Sequence, residues 1–92
     1  MADDLIRRRV VVQGKVQGVF FRDSTRDRAA QHGVTGWVCN RSDGAVEAVL
    51  EGPRGAVEQV LDFLESGPAH ASVDHVEVQE EEPEGLSGFE VS

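Results

Sequence analysis

Gln13-Gly14-Lys15-Val16-Gln17-Gly18-Val19-Phe20-Phe21-Arg22 joins an apolar, β-branched run (Ile6, Val10, Val11, Val12) to a segment poor in β-branched residues that ends at Gly33. The order is strand, glycine-bearing loop, helix N-terminus. Proteins build anion cradles in this order. N–H groups at a helix start lack intrahelical partners, and the helix dipole places partial positive charge there. Gly14 and Gly18 allow the backbone angles such a loop requires. Arg22 adds a planar, multi-donor fork shaped for phosphate or carboxylate. The spacing alone predicts an oxyanion site.

The flanking chain predicts the architecture. A first strand is expected over residues 6–13, with residues 1–5 frayed. Arg7-Arg8-Arg9 reads as the exposed start of that strand. A helix is predicted over 22–32, with Phe21, Thr25, Ala29 and His32 recurring on one face and Arg26 and Arg28 turned to solvent. A strand follows over 34–40. Ser42-Asp43-Gly44 is a hairpin turn, and 45–51 is the returning strand, alternating as a sheet with one covered face does. Gly52-Pro53 ends it, with Pro53 placed in the first turn of a second helix. Val57, Val60, Leu61 and Leu64 give that helix an apolar stripe at i, i+3, i+4, i+7 spacing, and Gly67-Pro68 stops it. Val73, Val76 and Val78 mark another strand, which dissolves into an acidic loop from Glu80 to Gly85. Phe89-Glu90-Val91 is a candidate short fifth strand.

The order β-α-β-β-α-β predicts an α+β fold: the ferredoxin-like sandwich, an antiparallel sheet with two helices on one face. At 92 residues the chain is expected to be a single domain, residues 1–92.

Charge narrows the function classes. The net charge is −8. Residues 1–54 carry all nine Lys and Arg with seven acids, whereas residues 55–92 carry ten acids and neither base. A field of that sign disfavours nucleic acid and anionic membranes, and it leaves room for a small anion held by local donors. The acidic C-terminal part is expected to be a solvated surface. The single cysteine, Cys39, permits no internal disulfide, and the N-terminus opens with acids where a signal peptide would carry bases. A cytoplasmic monomer is expected.

Gly-Lys-Val-Gln-Gly-Val-Phe-Phe-Arg (14–22), Gly-Trp-Val-Cys-Asn (36–40), Asp-Gly-Ala-Val-Glu (43–47) and Glu-Gly-Pro (51–53) together resemble the acylphosphatase family. The similarity runs from about residue 7 to Val91. The resemblance implies a ferredoxin-like fold and hydrolysis of acyl phosphates to a carboxylate and inorganic phosphate, with no metal or cofactor. It implies that Arg22 clamps the phosphate together with main-chain N–H groups of Lys15, Val16, Gln17, Gly18, Val19, Phe20 and Phe21. It implies that Asn40 orients the attacking water. The implied partners are a small acyl phosphate and inorganic phosphate, without nucleic acid or membrane. The C-terminus lacks the aromatic residue that often ends family members.

Other residues read more plainly. Phe20 and Phe21 are expected in the core or as a staple, and Trp37 half-buried. Cys39 reads as a small hydrophobe aimed opposite to Asn40 by strand alternation. Thr25 is either a packing residue or a support for the site. His32, His70 and His75 show no metal spacing. An RNA-reading module is disfavoured by the charge and by the absence of Tyr. A phosphate-binding or regulatory module without catalysis is the remaining alternative.

Overall fold

The apolar run ahead of the loop forms β1 (Leu5–Lys15) in the computed structural model, which describes residues 4–92. The remaining elements are α1 (Phe21–His32), β2 (Thr35–Asn40), β3 (Val46–Pro53), α2 (Arg54–Ser66), β4 (Ser72–Glu81) and β5 (Phe89–Val91). They build a five-stranded sheet in the order β4-β1-β3-β2-β5. β1 pairs antiparallel with β3 and β4, and β2 antiparallel with β3. β1–β4 make the antiparallel sheet of the ferredoxin-like α+β sandwich, and β5 adds to the edge of β2 in parallel, so the sheet is not antiparallel throughout, contrary to expectation.

Alternation sorts the sheet into two faces. Val10, Val12, Val38, Val46, Ala48 and Leu50 pack with Phe21 and Ala29 of α1 and Val57, Val60 and Leu64 of α2. Each fully buried Val or Leu contributes about 1.5–3 kcal/mol through removal of apolar surface from water. Phe21 sits where the two helices meet. Its ring centroid is 6.3 Å from that of Phe63, and a Cβ on Gly67 would lie 2.7 Å from its Cε2. Only glycine lets the chain leave α2 so close to that ring. The residue that starts α1 is thereby fixed in the core, which orients Arg22 immediately after it.

The opposite face departs from the expectation of one covered and one open side. Val49 is fully buried there, and Arg7 and Glu51 are each 5% exposed. Arg7 is thus not the exposed start of a strand. It donates to Glu51 and Glu81, both at 2.8 Å, and Arg9 donates to Glu81 at 2.7 Å and Glu47 at 2.6 Å. The Arg9 guanidinium also lies 5.5 Å from the Trp37 ring centroid, over a half-buried indole. Register explains the network: Arg7 stands opposite Glu51 on β3 and Glu81 on β4. Glu80 and Glu81 therefore extend β4 where a loop was expected. Most acids of the C-terminal part are exposed, but Glu81 is half-buried between two arginines.

Three boundaries also shift. Leu5 belongs to β1, and the Asp4 carbonyl accepts from the Arg54 N–H at 2.9 Å, so the expected fray does not reach these residues. Residues 1–3 of that stretch lie outside the described residues. Pro53 ends β3 as the N-cap of α2, one residue before the helix; its ψ of 142° is extended. Lys15 is the last residue of β1, paired with Ser72, and lies in the ladder, ahead of the loop.

Candidate active site

The loop leaves β1 at an irregularity. Register with β4 shifts between Gln13 and Gly14, where φ is 129°. A Cβ on Gly14 would stand 2.2 Å from the Ser72 carbonyl oxygen and 2.8 Å from the Asp74 nitrogen. Any side chain would force the two strands apart. Val16 and Val19 are buried and pin the loop to the core at two points. Between them Gly18 takes φ 74° in open space, a conformational need and not a steric one. Phe20 follows in the left-handed region (φ 63°, ψ 24°) as the N-cap of α1, its carbonyl accepting from the Ser24 N–H at 3.0 Å. Among the described residues, the N–H groups of Gln17, Gly18, Val19 and Phe20 find no main-chain acceptor. Consecutive free donors beside the positive end of a 12-residue helix form a nest for an anion.

The side chain of Gln17 has a role that the sequence did not disclose. Its Nε2 donates to the carbonyls of Arg41 at 2.8 Å and Ala45 at 2.9 Å, which ties the loop to the β2–β3 hairpin. That hairpin carries Asn40 at the end of β2. Asn40 has the same strand parity as buried Val38, so it lies on the face covered by α1, whereas Cys39 lies with Trp37 on the other. Val16, Gly18, Phe20, Phe21, Arg22 and Asn40 consequently border one surface depression of ≈ 260 Å³. Arg22 and Asn40, far apart in sequence, meet there. Lys15 and the side chains of Gln17 and Val19 stand outside its lining.

Arg22 is half-buried, and its Nη1 donates to the main-chain oxygen of Ser92. Ser92 in turn donates its N–H to the Val38 carbonyl at 3.0 Å. The guanidinium is therefore tied to the chain that leaves β5, a contact with no local sequence signal. Arg41 is engaged elsewhere, 3.0 Å from Asp43 within the hairpin turn. Thr25 is fully buried and its hydroxyl donates to the Phe21 carbonyl at 2.7 Å, within the helix.

Phe20 corrects an expectation. Phe21 is 2% exposed, but Phe20 is 76% exposed and belongs to neither core nor staple. Adjacent rings thus differ in burial across a left-handed turn at Phe20.

One end of the sheet carries this depression, and the other is closed by Glu51. Its carboxylate accepts from Arg7 and from the N–H groups of Glu84 at 2.8 Å, Gly85 at 3.1 Å and Leu86 at 3.0 Å. Burial alone pushes this carboxyl up. The Glu84 N–H, Arg7 and the Leu86 and Gly85 N–H groups together outweigh burial and hold it below the usual carboxylate range. Arg9 and then Arg7 hold Glu81 below that range as well. Among the described residues, no cluster of three or more His, Cys, Asp or Glu side chains gathers as metal ligands do. No helix among them is long and apolar enough to cross a membrane.

A ferredoxin-like α+β sandwich with free N–H groups at a strand–loop–helix junction, and with Arg22 and Asn40 bordering the same depression, belongs to the class of domains suited to a small anion. Comparison with known proteins narrows the class. The acylphosphatase family profile matches residues 8–91. An acylphosphatase of Rubrobacter xylanophilus is 58% identical over 86 residues, covering 92% of this chain and 78% of its relative. One from Haloarcula marismortui is 53% identical over 85 residues, covering 92% and 93%. The solved structure of an acylphosphatase from Coxiella burnetii superposes with a TM-score of 0.92 at 42% identity, over 97% of this chain and 94% of that one. The chain belongs to the acylphosphatase family.

Proposed function

We propose that this chain hydrolyses acyl phosphates, the mixed anhydrides of a carboxylic acid and phosphoric acid, to a carboxylate and inorganic phosphate. The observation that carries this is the run of free N–H groups at residues 17–20 beside Arg22 and Asn40 in one depression. The loop donors and Arg22 hold the phosphate oxygens, and Asn40 accepts a hydrogen bond from the attacking water. The water oxygen bonds to phosphorus, the bond to the bridging acyl oxygen breaks, and its electron pair leaves with the carboxylate. The water proton passes to a phosphate oxygen.

So few groups suffice because the leaving group is easy. A departing carboxylate has a conjugate-acid pKa of about 4, so no general acid is required. Phosphoryl transfer of this kind runs through a loose transition state, in which the nucleophile needs positioning more than deprotonation. An amide positions water and cannot act as its base. Preorganised donors stabilise charge on the equatorial oxygens, and losing one such donor typically costs about 3–4 kcal/mol of barrier. The same chemistry disfavours ordinary phosphate esters, whose alkoxide leaving groups need a proton, a step in which Arg22 and Asn40 have no part.

The depression is bordered by residues of both the 16–22 loop and β2, and we read the enzyme as a monomer. We place it in the cytoplasm, where Cys39 stays a thiol. The test is phosphate release from benzoyl phosphate in EDTA, with phenyl phosphate as the ester control. Release well above the enzyme-free blank for the anhydride, and none for the ester, is expected. Release no faster than the blank would favour a phosphate-binding module instead.

A further inference from the structure

Phe20 is the one described residue other than glycine with a positive φ. The left-handed turn there helps aim successive N–H groups at one point, and glycine would adopt it without strain. A phenylalanine adopts it against the crowding of its own Cβ. Folding gives nothing back for the ring, since 76% of the residue stays in water. Neither backbone need nor core packing accounts for a phenyl group at this position.

Its location does. Phe20 borders the depression shared by Arg22 and Asn40. A phosphate seated on the loop N–H groups projects its bridging oxygen and acyl group outward, past the rim on which this ring stands. Among the described residues the other strongly exposed large hydrophobics lie elsewhere: Leu5 at the opposite end of β1, and Val78 on the edge strand β4. Phe20 is therefore not part of a continuous apolar docking patch. Strained non-glycine residues that persist beside a binding site are a recurrent mark of use by the ligand.

We propose that the Phe20 ring is the acyl-side specificity wall of this site, favouring acyl phosphates with an apolar, above all aromatic, acyl group over small ones. This role rests on the phosphate-cradle chemistry proposed above and adds the half of the substrate that the cradle does not read. Aromatic contact is directional and strengthens with desolvation of both faces, so a benzoyl group gains from the ring where an acetyl group has almost no surface to offer.

The test is the ratio of kcat/KM for benzoyl phosphate to kcat/KM for acetyl phosphate. It is measured for the unmodified protein and for Phe20→Leu, Phe20→Ala and Phe20→Gly. Phe20→Gly removes the ring and relieves the backbone together, Phe20→Ala removes the ring and keeps the Cβ, and Phe20→Leu keeps apolar bulk without the π face. A partly exposed aromatic pair corresponds to about a twofold to tenfold preference. The ratio is expected to fall by that factor in both Phe20→Ala and Phe20→Gly, and by less in Phe20→Leu. An unchanged ratio in Phe20→Ala and Phe20→Gly overturns the specificity role, including the case in which both rates drop together through a disturbed loop. An unmodified protein that hydrolyses neither substrate overturns instead the acyl-phosphate chemistry on which the role depends.

Discussion

Replacing Glu51 by glutamine tests whether a single carboxylate closes the end of the sheet remote from the cradle. Glu51 is 5% exposed and receives four hydrogen bonds, from Arg7 and from three consecutive N–H groups at residues 84–86. Removing one partner of a buried ion pair costs about 3–5 kcal/mol. The lower end applies, because Arg7 keeps its 2.8 Å contact with Glu81 and an amide oxygen still accepts from part of the strap. For a domain of this size a loss of about 3 kcal/mol lowers Tm by about 12–24 °C. Urea unfolding followed by the fluorescence of Trp37, the one tryptophan, reads the change as a lower midpoint with an unchanged slope. The pH dependence supplies a second readout. The carboxyls of Glu51 and Glu81 sit below their ordinary value when folded. Their contribution is therefore present above the unfolded pKa of about 4.3 and is lost as pH falls through the folded values. The unmodified protein should hold its stability from neutrality down to about pH 5 and lose it steeply below about 4, and Glu51→Gln should lose less over the same acid range. A loss smaller than about 1 kcal/mol at neutral pH, within the range of ordinary substitutions, would refute the strap.

Three further substitutions probe the cradle. Arg22→Lys keeps the charge and loses the fork, so kcat/KM on benzoyl phosphate should fall about 100-fold or more; near-native activity would mean that no bidentate clamp operates. Asn40→Ala should lose about 100-fold or more in kcat while still binding inorganic phosphate; calorimetry showing phosphate binding abolished in a folded variant would contradict a water-positioning role. Gly14→Ala places a Cβ 2.2 Å from the Ser72 carbonyl oxygen and should destabilise the protein by about 3 kcal/mol or more, read as a lower urea midpoint; an unchanged midpoint would show that β1 and β4 can part there without cost.

Local signals were legible in the sequence and distant pairings were not. Asp43-Gly44 announced the β2–β3 hairpin, the stripe Val57, Val60 and Leu64 announced α2, and Gly14 and Gly18 announced the loop that joins β1 to α1. All three readings depend on residues within a few positions of one another. The arginine triplet misled because the partners of Arg7 lie 44 and 74 residues away. Composition counts charges and cannot see that register will set them opposite one another. Composition places Glu81 in a loop for the same reason, since strand propensity does not anticipate a salt-bridged edge strand. Phe20 and Phe21 are chemically identical neighbours with opposite fates, decided by one left-handed turn that no periodicity reports. The brace of Arg22 on the Ser92 main-chain oxygen and the double hydrogen bond of Gln17 to the hairpin are likewise tertiary. They explain how two residues named from motifs come to share one depression.

The fate of the water oxygen separates attack on phosphorus from attack on the carbonyl carbon. Benzoyl phosphate is hydrolysed to completion in water enriched in heavy oxygen, with EDTA present, and both products are weighed by mass spectrometry. A cradle that grips the phosphate and lines water up on phosphorus predicts one heavy oxygen in each inorganic phosphate and none in benzoate. Heavy oxygen in benzoate would place the attack on the carbonyl carbon and contradict the assignment of Arg22, Asn40 and the residue 17–20 loop to phosphoryl transfer.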